Sequence, residues 1–316
     1  MYWFACKALP ERQTCGSRAT VVLLRPIVRV TAFRHRLRYY HACPTKQDTH
    51  TLRHQPRKRF GQNFLRDESV IAEIARAVNP SEDDHVVEIG PGEGALTAAL
   101  IGSGCQLDAV ELDRDLKTPL LARFSIYPTF MLHSADALTF DYGALSPDKK
   151  PLRIVGNLPY NISTPLIFKL SGSASVIADM HFMLQREVVD RLAAAPGNKD
   201  WGRLGVMAQF QCDIEKLFEV PPEAFFPAPK VQSAVVRLIP RSDNPWPNCD
   251  AKQLNTVVTR AFSQRRKTLL NNFKGLLEAP ALEALGIDPG ARAETLSLDQ
   301  FVALAAANAE AKAEHT

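Results

Sequence analysis

Residues 85–104 read HVVEIGPGEGALTAALIGSG, and the order of their parts decides the fold. The apolar run His85–Ile89 predicts a buried strand, three glycines follow at alternate positions, and a helical run then closes near Gly102 and Gly104. Directly downstream, LDAVELD (107–113) is a second apolar strand ending in Glu111 and Asp113. Upstream, DESVIAEIARAV (67–78) sets Val70, Ile71, Ile74, Ala75 and Val78 at helical spacing behind a capping Asp67. Helix, strand, glycine turn, helix and a strand tipped with an acid together open a doubly wound α/β sheet.

The glycine spacing bears on the ligand. A dinucleotide fingerprint, G-x-G-x-x-G, uses its third glycine for close helix packing around a pyrophosphate. Gly90, Gly92 and Gly94 instead read G-x-G-x-G after Glu88, a compact loop that approaches a ligand by its backbone. Glu111, 21 residues beyond Gly90, stands where a carboxylate takes both hydroxyls of a ribose. Further on, FMLHSADALTFDY (130–142) places Asp136 in a turn where it can accept from an adenine amino group. Each feature alone also suits a tight turn or a helix cap. Their order is that of a nucleoside pocket, and it ends at LRIVGNLPY (152–160), an apolar strand running into an amide, a proline and an aromatic ring.

With VVEIGPGEGALT, AVELD, SADAL and NLPY in that order, the chain resembles Rossmann-like S-adenosylmethionine-dependent methyltransferases that act on exocyclic amino groups. The chemistry gives the last motif its sense. The lone pair of adenine N6 is delocalised into the ring, so acceptors aimed at its two hydrogens must turn it before it attacks a methyl group. The Asn157 side-chain oxygen and the Leu158 carbonyl suit that task, Pro159 fixes the turn, and Tyr160 offers a face for a base that has left its own stack.

Three further stretches narrow the resemblance. RKRFGQNFL (57–65), VPPEAFFPAPKVQSAVVRLIP (220–240) and RAFSQRRKTLLNN (260–272) resemble the ribosomal RNA adenine dimethyltransferase family, best its small-subunit, KsgA-type branch, from about Arg57 to the C-terminus. The resemblance implies two methyl transfers to each of two adjacent adenines in the 3′-terminal hairpin of small-subunit ribosomal RNA, during ribosome biogenesis. It puts cofactor contacts on Asn63, Leu65, Gly90, Glu111, Asp136 and Asn157, and base handling on Asn157, Leu158, Tyr160 and Phe225. The proline-stiffened loop is expected to expose both Phe225 and Phe226, one ring closing on the flipped base from the side opposite Tyr160.

Composition sets the frame. Of 316 residues, 46% are hydrophobic and 23% charged, ordinary for a globular protein with one sizeable core and a smaller second domain. No apolar run reaches the roughly 18 residues that span a bilayer. The cysteines 6, 15, 43, 105, 212 and 249 form no C-x-x-C pair and do not cluster with His, favouring a reducing compartment and no zinc site. The net charge of +4 conceals a division: residues 1–60 carry 13 Lys/Arg against 2 Asp/Glu, the remainder 25 against 32. Affinity for RNA must therefore come from local patches, of which Arg260, Arg265, Arg266, Lys267 and Lys274 form the densest.

The expected organisation is a basic, disordered extension (1–56), a methyltransferase domain (57–241) and a helical RNA-docking domain (242–316) that follows the SDNPWPNCD linker. For the extension, three readings stay open: a dispensable or artefactual lengthening, with a shorter natural start needing a non-AUG codon because no second Met precedes Met131; a transit peptide; or an RNA-binding arm. A cytoplasmic monomer acting on the small subunit is expected, or a mitochondrial one if the extension targets. The competing class is a binding factor in ribosome assembly, or a mitochondrial transcription factor of the same fold. A nicotinamide oxidoreductase would share the sheet but needs the dinucleotide glycine spacing and has no use for NLPY. A DNA adenine methyltransferase usually carries an acid where this chain has Asn157. An enzyme acting on large-subunit RNA would share these motifs and is the harder one to set aside.

Overall fold

The computed structural model describes residues 62–148 and 150–313. The basic extension 1–56, with Arg57, Lys58, Arg59 and Phe60, lies outside the described residues.

The chain begins with a short strand β1 (Phe64–Leu65) and helix α1 (Glu68–Val78), whose N-terminus is capped as expected by Asp67, accepting from the Ser69 and Val70 amides. Alternation then sets in: β2 (His85–Ile89), α2 (Ala95–Ile101), β3 (Gln106–Glu111), α3 (Arg114–Phe124), β4 (Phe130–Ser134), β5 (Leu152–Asn157), α4 (Ser163–Ser171), β6 (Ile177–Gln185), α5 (Arg186–Leu192) and α6 (Arg203–Gln211). A β-rich stretch follows, with β7 (Cys212–Val220), β8 (Phe225–Phe226) and β9 (Ser233–Pro240). The chain closes in helices α7 (Ala251–Ala261), α8 (Leu269–Asn272), α9 (Ala279–Ala284) and α10 (Leu298–Ala313).

Seven strands form one sheet in the order β4-β3-β2-β5-β6-β9-β7. β2 to β6 pair in parallel, while β9 runs antiparallel to both its neighbours, β6 and β7. α1, α2 and α3 bury Val70, Ile74, Leu100, Leu116 and Phe124 on one face, and α4, α5 and α6 bury Leu166, Leu170, Val189 and Ala208 on the other. This is the expected doubly wound α/β sheet in its Rossmann-like methyltransferase form. Successive strands add outward from β2 through β3 to β4, and the chain then crosses to place β5 on β2's other side. The crevice between the tips of β2 and β5 is thus the switch point at which such sheets bind ligands.

A third core cluster joins Trp201, Val206 and Met207 to the buried faces of α7 to α10. Trp201 donates its indole N–H to the Leu296 carbonyl at 2.9 Å, and Trp246 stacks on Phe210 with ring centres 5.2 Å apart. Asp250 caps α7 in a full capping box with Gln253. Among the described residues no helix is long and apolar enough to cross a membrane.

One expectation needs correction. Phe225 and Phe226 are not both exposed: β8 pairs with β1, setting Phe226 opposite Phe64 and Phe225 opposite Leu65. Successive side chains of a strand point to opposite faces. Phe225 accordingly turns into the core at 5% exposure, and Phe226 turns out at 50%.

Candidate active site

A cavity of about 200 Å³ opens at the switch point. Asn63, Leu65, Gly90, Glu111, Asp136, Asn157, Leu158 and Tyr160 all line it, so the structure brings together every expected site residue but one. Phe225 does not line it; it packs in the same core cluster as Leu65, Met183 and Val235, which do.

The glycine loop after β2 forms one wall. Gly92 has φ +58°, a left-handed conformation natural to glycine, and a Cβ built there would meet the Phe64 ring at 2.9 Å. The loop is therefore a cradle that only a bare backbone leaves open. Its Gly92 amide donates to one carboxylate oxygen of Glu111 at 3.3 Å, and the Asp113 amide donates to the other at 2.8 Å. Burial pushes the Glu111 carboxyl above the usual range despite those two bonds. Held at the tip of β3, this carboxylate keeps lone pairs for a diol. Asp136 is fixed similarly after β4, where one oxygen accepts from the Leu138 amide at 2.9 Å.

The opposite wall is the tip of β5. The Asn157 Nδ2 donates to the Asn63 carbonyl at 2.9 Å. A carbonyl can only accept, so this bond decides which way the amide faces and leaves Oδ1 as a free acceptor. Before it, Gly156 lies so close to β2 that a Cβ would stand 2.6 Å from the Ile89 carbonyl oxygen. After it, the turn is pinned by backbone bonds from Leu158 to the Met183 carbonyl (3.2 Å) and from Ile162 to the Pro159 carbonyl (3.2 Å). The Ser163 hydroxyl donates to the Tyr160 carbonyl at 3.1 Å, and the Tyr160 hydroxyl lies 3.4 Å from that of Ser233. The turn and the ring of NLPY are thus clamped from three elements, α4, β6 and β9, while the Asn157 amide is held by the Asn63 carbonyl.

Two lining residues carry no mark of a role in the sequence. Glu88 is fully buried beneath the glycine loop, accepts from the Thr97 hydroxyl at 2.6 Å, and is pushed up to about 7 by burial, with Glu111 adding to the shift. Its place before the glycines is visible, but a buried acid reads like any other in sequence. His181 lies mid-strand in IADMHFMLQ, where nothing singles it out. At the rim, the Arg66 guanidinium stands 4.2 Å over the Phe226 ring and bonds Glu93 at 3.3 Å.

The two walls differ in chemistry. Glu111, Asp136 and the Gly92 cradle fit one nucleoside, and Asn157 and Tyr160 fit an amine on a flat ring. Among Rossmann-like folds, that pairing at one switch point belongs to methyltransferases dependent on S-adenosylmethionine. Comparison with known proteins narrows this class. Residues 53–310 match the ribosomal RNA adenine dimethylase family. The chain is 57% identical over 251 residues to the ribosomal RNA small subunit methyltransferase A of Saccharophagus degradans, covering 79% of this chain and 94% of that one. Against the protein of the same name from Pseudomonas putida it is 56% identical over 252 residues, 80% and 94% of the two chains. Among solved structures, a dimethyladenosine transferase from Plasmodium falciparum aligns with TM-score 0.67 at 25% identity, over 76% of this chain and 95% of that one. The 23S rRNA methyltransferase ErmE aligns with TM-score 0.63 at 27% identity, over 78% and 99%. The chain belongs to the ribosomal RNA adenine dimethylase family.

Proposed function

We propose that this enzyme dimethylates N6 of two adjacent adenines in the 3′-terminal hairpin of small-subunit ribosomal RNA. The observation that carries the reading is the Asn157 amide, oriented by the Asn63 carbonyl inside the cavity that also holds Glu111 and Asp136. The 57% identity to a small-subunit enzyme favours that RNA over the large-subunit one.

Asn63, Leu65, Gly90, Glu111, Asp136 and Asn157 hold S-adenosylmethionine, which supplies a methyl group on a sulfonium. Glu111 takes the ribose hydroxyls and Asp136 the adenine amino group. On the other side, Asn157 Oδ1 and the Leu158 carbonyl accept from the target N6–H groups and turn the nitrogen out of conjugation. Tyr160 stacks on the flipped base. Phe225 backs the pocket through Leu65, Met183 and Val235, and it offers its own ring to the base only if the β1·β8 ribbon shifts.

The helices after residue 241 serve as the RNA-docking domain beside the methyltransferase domain, 57–241. Their basic cluster divides by role. Arg260 bonds the Asn272 and Lys274 carbonyls at 2.7 and 3.2 Å, and Arg265 bonds the Lys199 and Trp201 carbonyls at 2.7 and 3.1 Å. Exposed Arg266, Lys267 and Lys274 remain for phosphates. The enzyme works as a monomer on the immature small subunit in the cytoplasm.

The test is methyl transfer to unmethylated small subunits, read by nucleoside mass spectrometry. N6,N6-dimethyladenosine at the paired positions supports the reading. Modification of large-subunit RNA alone would move the substrate to ErmE's side of the family, and no transfer to either RNA would leave a binding factor.

A further inference from the structure

Among the described residues, the buried side-chain nitrogens and oxygens without a protein hydrogen-bond partner are both ring nitrogens of His181 and Oε1 of Gln211. His181 is 2% exposed and is among the residues that line the active-site cavity. A buried imidazole with neither nitrogen hydrogen-bonded among the described residues is one that a molecule in the cavity can satisfy.

Register puts this histidine beside the chemistry. Val155 pairs with His181, and Asn157 pairs with Met183. His181 thus shares the sheet face of Asn157, one strand across and two residues deeper. At ordinary strand spacings the two Cα atoms are about 8 Å apart. Asp179 Oδ1 stands 3.6 Å from His181 Nδ1, just beyond hydrogen-bonding reach. Asp179 is held ionised by the fork of Arg153, at 3.1 and 2.7 Å, and Arg153 also reaches Asp84 at 3.3 Å.

We infer that His181 takes up, through one bridging water, the proton that N6 sheds at each methyl transfer. The inference rests on the function proposed above. The N6 lone pair forms the new N–C bond, the sulfur keeps the electron pair of the broken C–S bond as a thioether, and the nitrogen's surplus proton passes by the water to an imidazole nitrogen. Two methyls on one nitrogen release two protons, so a rechargeable acceptor inside the pocket suits dimethylation. The imidazolium then returns its proton to solvent as products leave. Arg153, forked on Asp179, keeps that proton off the carboxylate. The other charged groups in the row are Glu88 on β2, with Val155 between, and Arg237 on β9, whose guanidinium bonds Glu215 at 2.6 Å. Ile74 of α1, on the same cavity, brings no charge.

His181 is on this account a positioning residue acting through water, and the experiment separates that from a structural role. Single-turnover transfer to small subunits is measured against pH for the wild type, His181→Gln and Asp179→Asn, alongside NMR of the ¹⁵N-histidine-labelled chain. The wild-type rate should rise with pH along an acid limb. His181→Gln should flatten that limb and slow transfer about 100-fold, with S-adenosylmethionine affinity unchanged by calorimetry. Asp179→Asn, which changes the group nearest Nδ1, should move the limb. A His181→Gln enzyme with wild-type rate and limb, one losing only cofactor affinity, or a His181 signal that does not titrate between about pH 5 and 9 would overturn the inference. Should His181→Gln fail to fold, the Asp179→Asn limb and the wild-type NMR titration decide alone. A wild type that makes no dimethyladenosine defeats the proposed function instead.

Discussion

Asn157 has one donor pair and one acceptor, and the Asn63 carbonyl claims the donor at 2.9 Å. Removing the amide should therefore cost catalysis far more than folding. Asn157→Ala is expected to slow methyl transfer about 10²–10³-fold in single turnover while the unfolding midpoint moves little; an unchanged rate would contradict the assigned role. Glu88 makes a prediction about stability. Its carboxyl is raised from 4.5 to about 7 in the folded chain, so between those values the unfolded chain loses its proton first. Folded stability from this group is complete below about pH 4.5, is lost as pH rises to about 7, and stays lost above. Glu88→Gln should thus raise the melting temperature at pH 8 and leave it unchanged at pH 4, read by calorimetry. Glu111, Asp136, Asn157 and Tyr160 were legible in sequence for a physical reason: each interrupts or follows an apolar strand at the end where the sheet meets its ligand. His181 was not, because an imidazole inside IADMHFMLQ reads as one more strand residue.

Between elements, the closest approach is Gly156 against the end of β2, where the obstacle to a Cβ is the Ile89 backbone at 2.6 Å. A backbone atom in a central strand cannot swing aside as a side chain does. Gly156→Ala should destabilise the fold by about 1–3 kcal/mol, seen as a lower urea midpoint with unchanged slope. It should also weaken S-adenosylmethionine binding by parting the two walls of the cavity. The alternating pattern from His85 to Asn157 made the sheet readable, because apolar runs and glycine breaks recur at strand and turn lengths. The two-residue ribbon β1·β8 was not readable. Two residues carry no periodicity, and only the pairing of Phe225 with Leu65 decides which phenylalanine faces the core.

Over the whole molecule, the described charges are mixed in sign, and much of the C-terminal basic cluster is spent on internal carbonyls. Among the described members of that cluster, exposed Arg266, Lys267 and Lys274 are the ones that the proposed docking role leaves for phosphates. Replacing Arg266, Lys267 and Lys274 together by Ala should weaken binding to small-subunit RNA and make the log–log salt dependence shallower by roughly 2 units, with S-adenosylmethionine affinity untouched. An unchanged slope would remove these residues from the interface. Sequence composition made the cluster visible but could not separate Arg260 and Arg265, whose partners lie across loops, from the residues left free to meet a phosphate. The β1·β8 ribbon has one more consequence, in the order of synthesis. Its strands are 160 residues apart, with Leu65 and Phe225 face to face. A nascent chain that has emerged only through β7 already carries Glu111, Asp136 and Asn157, yet the strand that secures Asn63 and Leu65 over them is still inside the ribosome that is making it. The cavity's β1 edge is thus secured only once β8 has been made, shortly before Ser233 and Val235 of β9 complete the side that faces Tyr160.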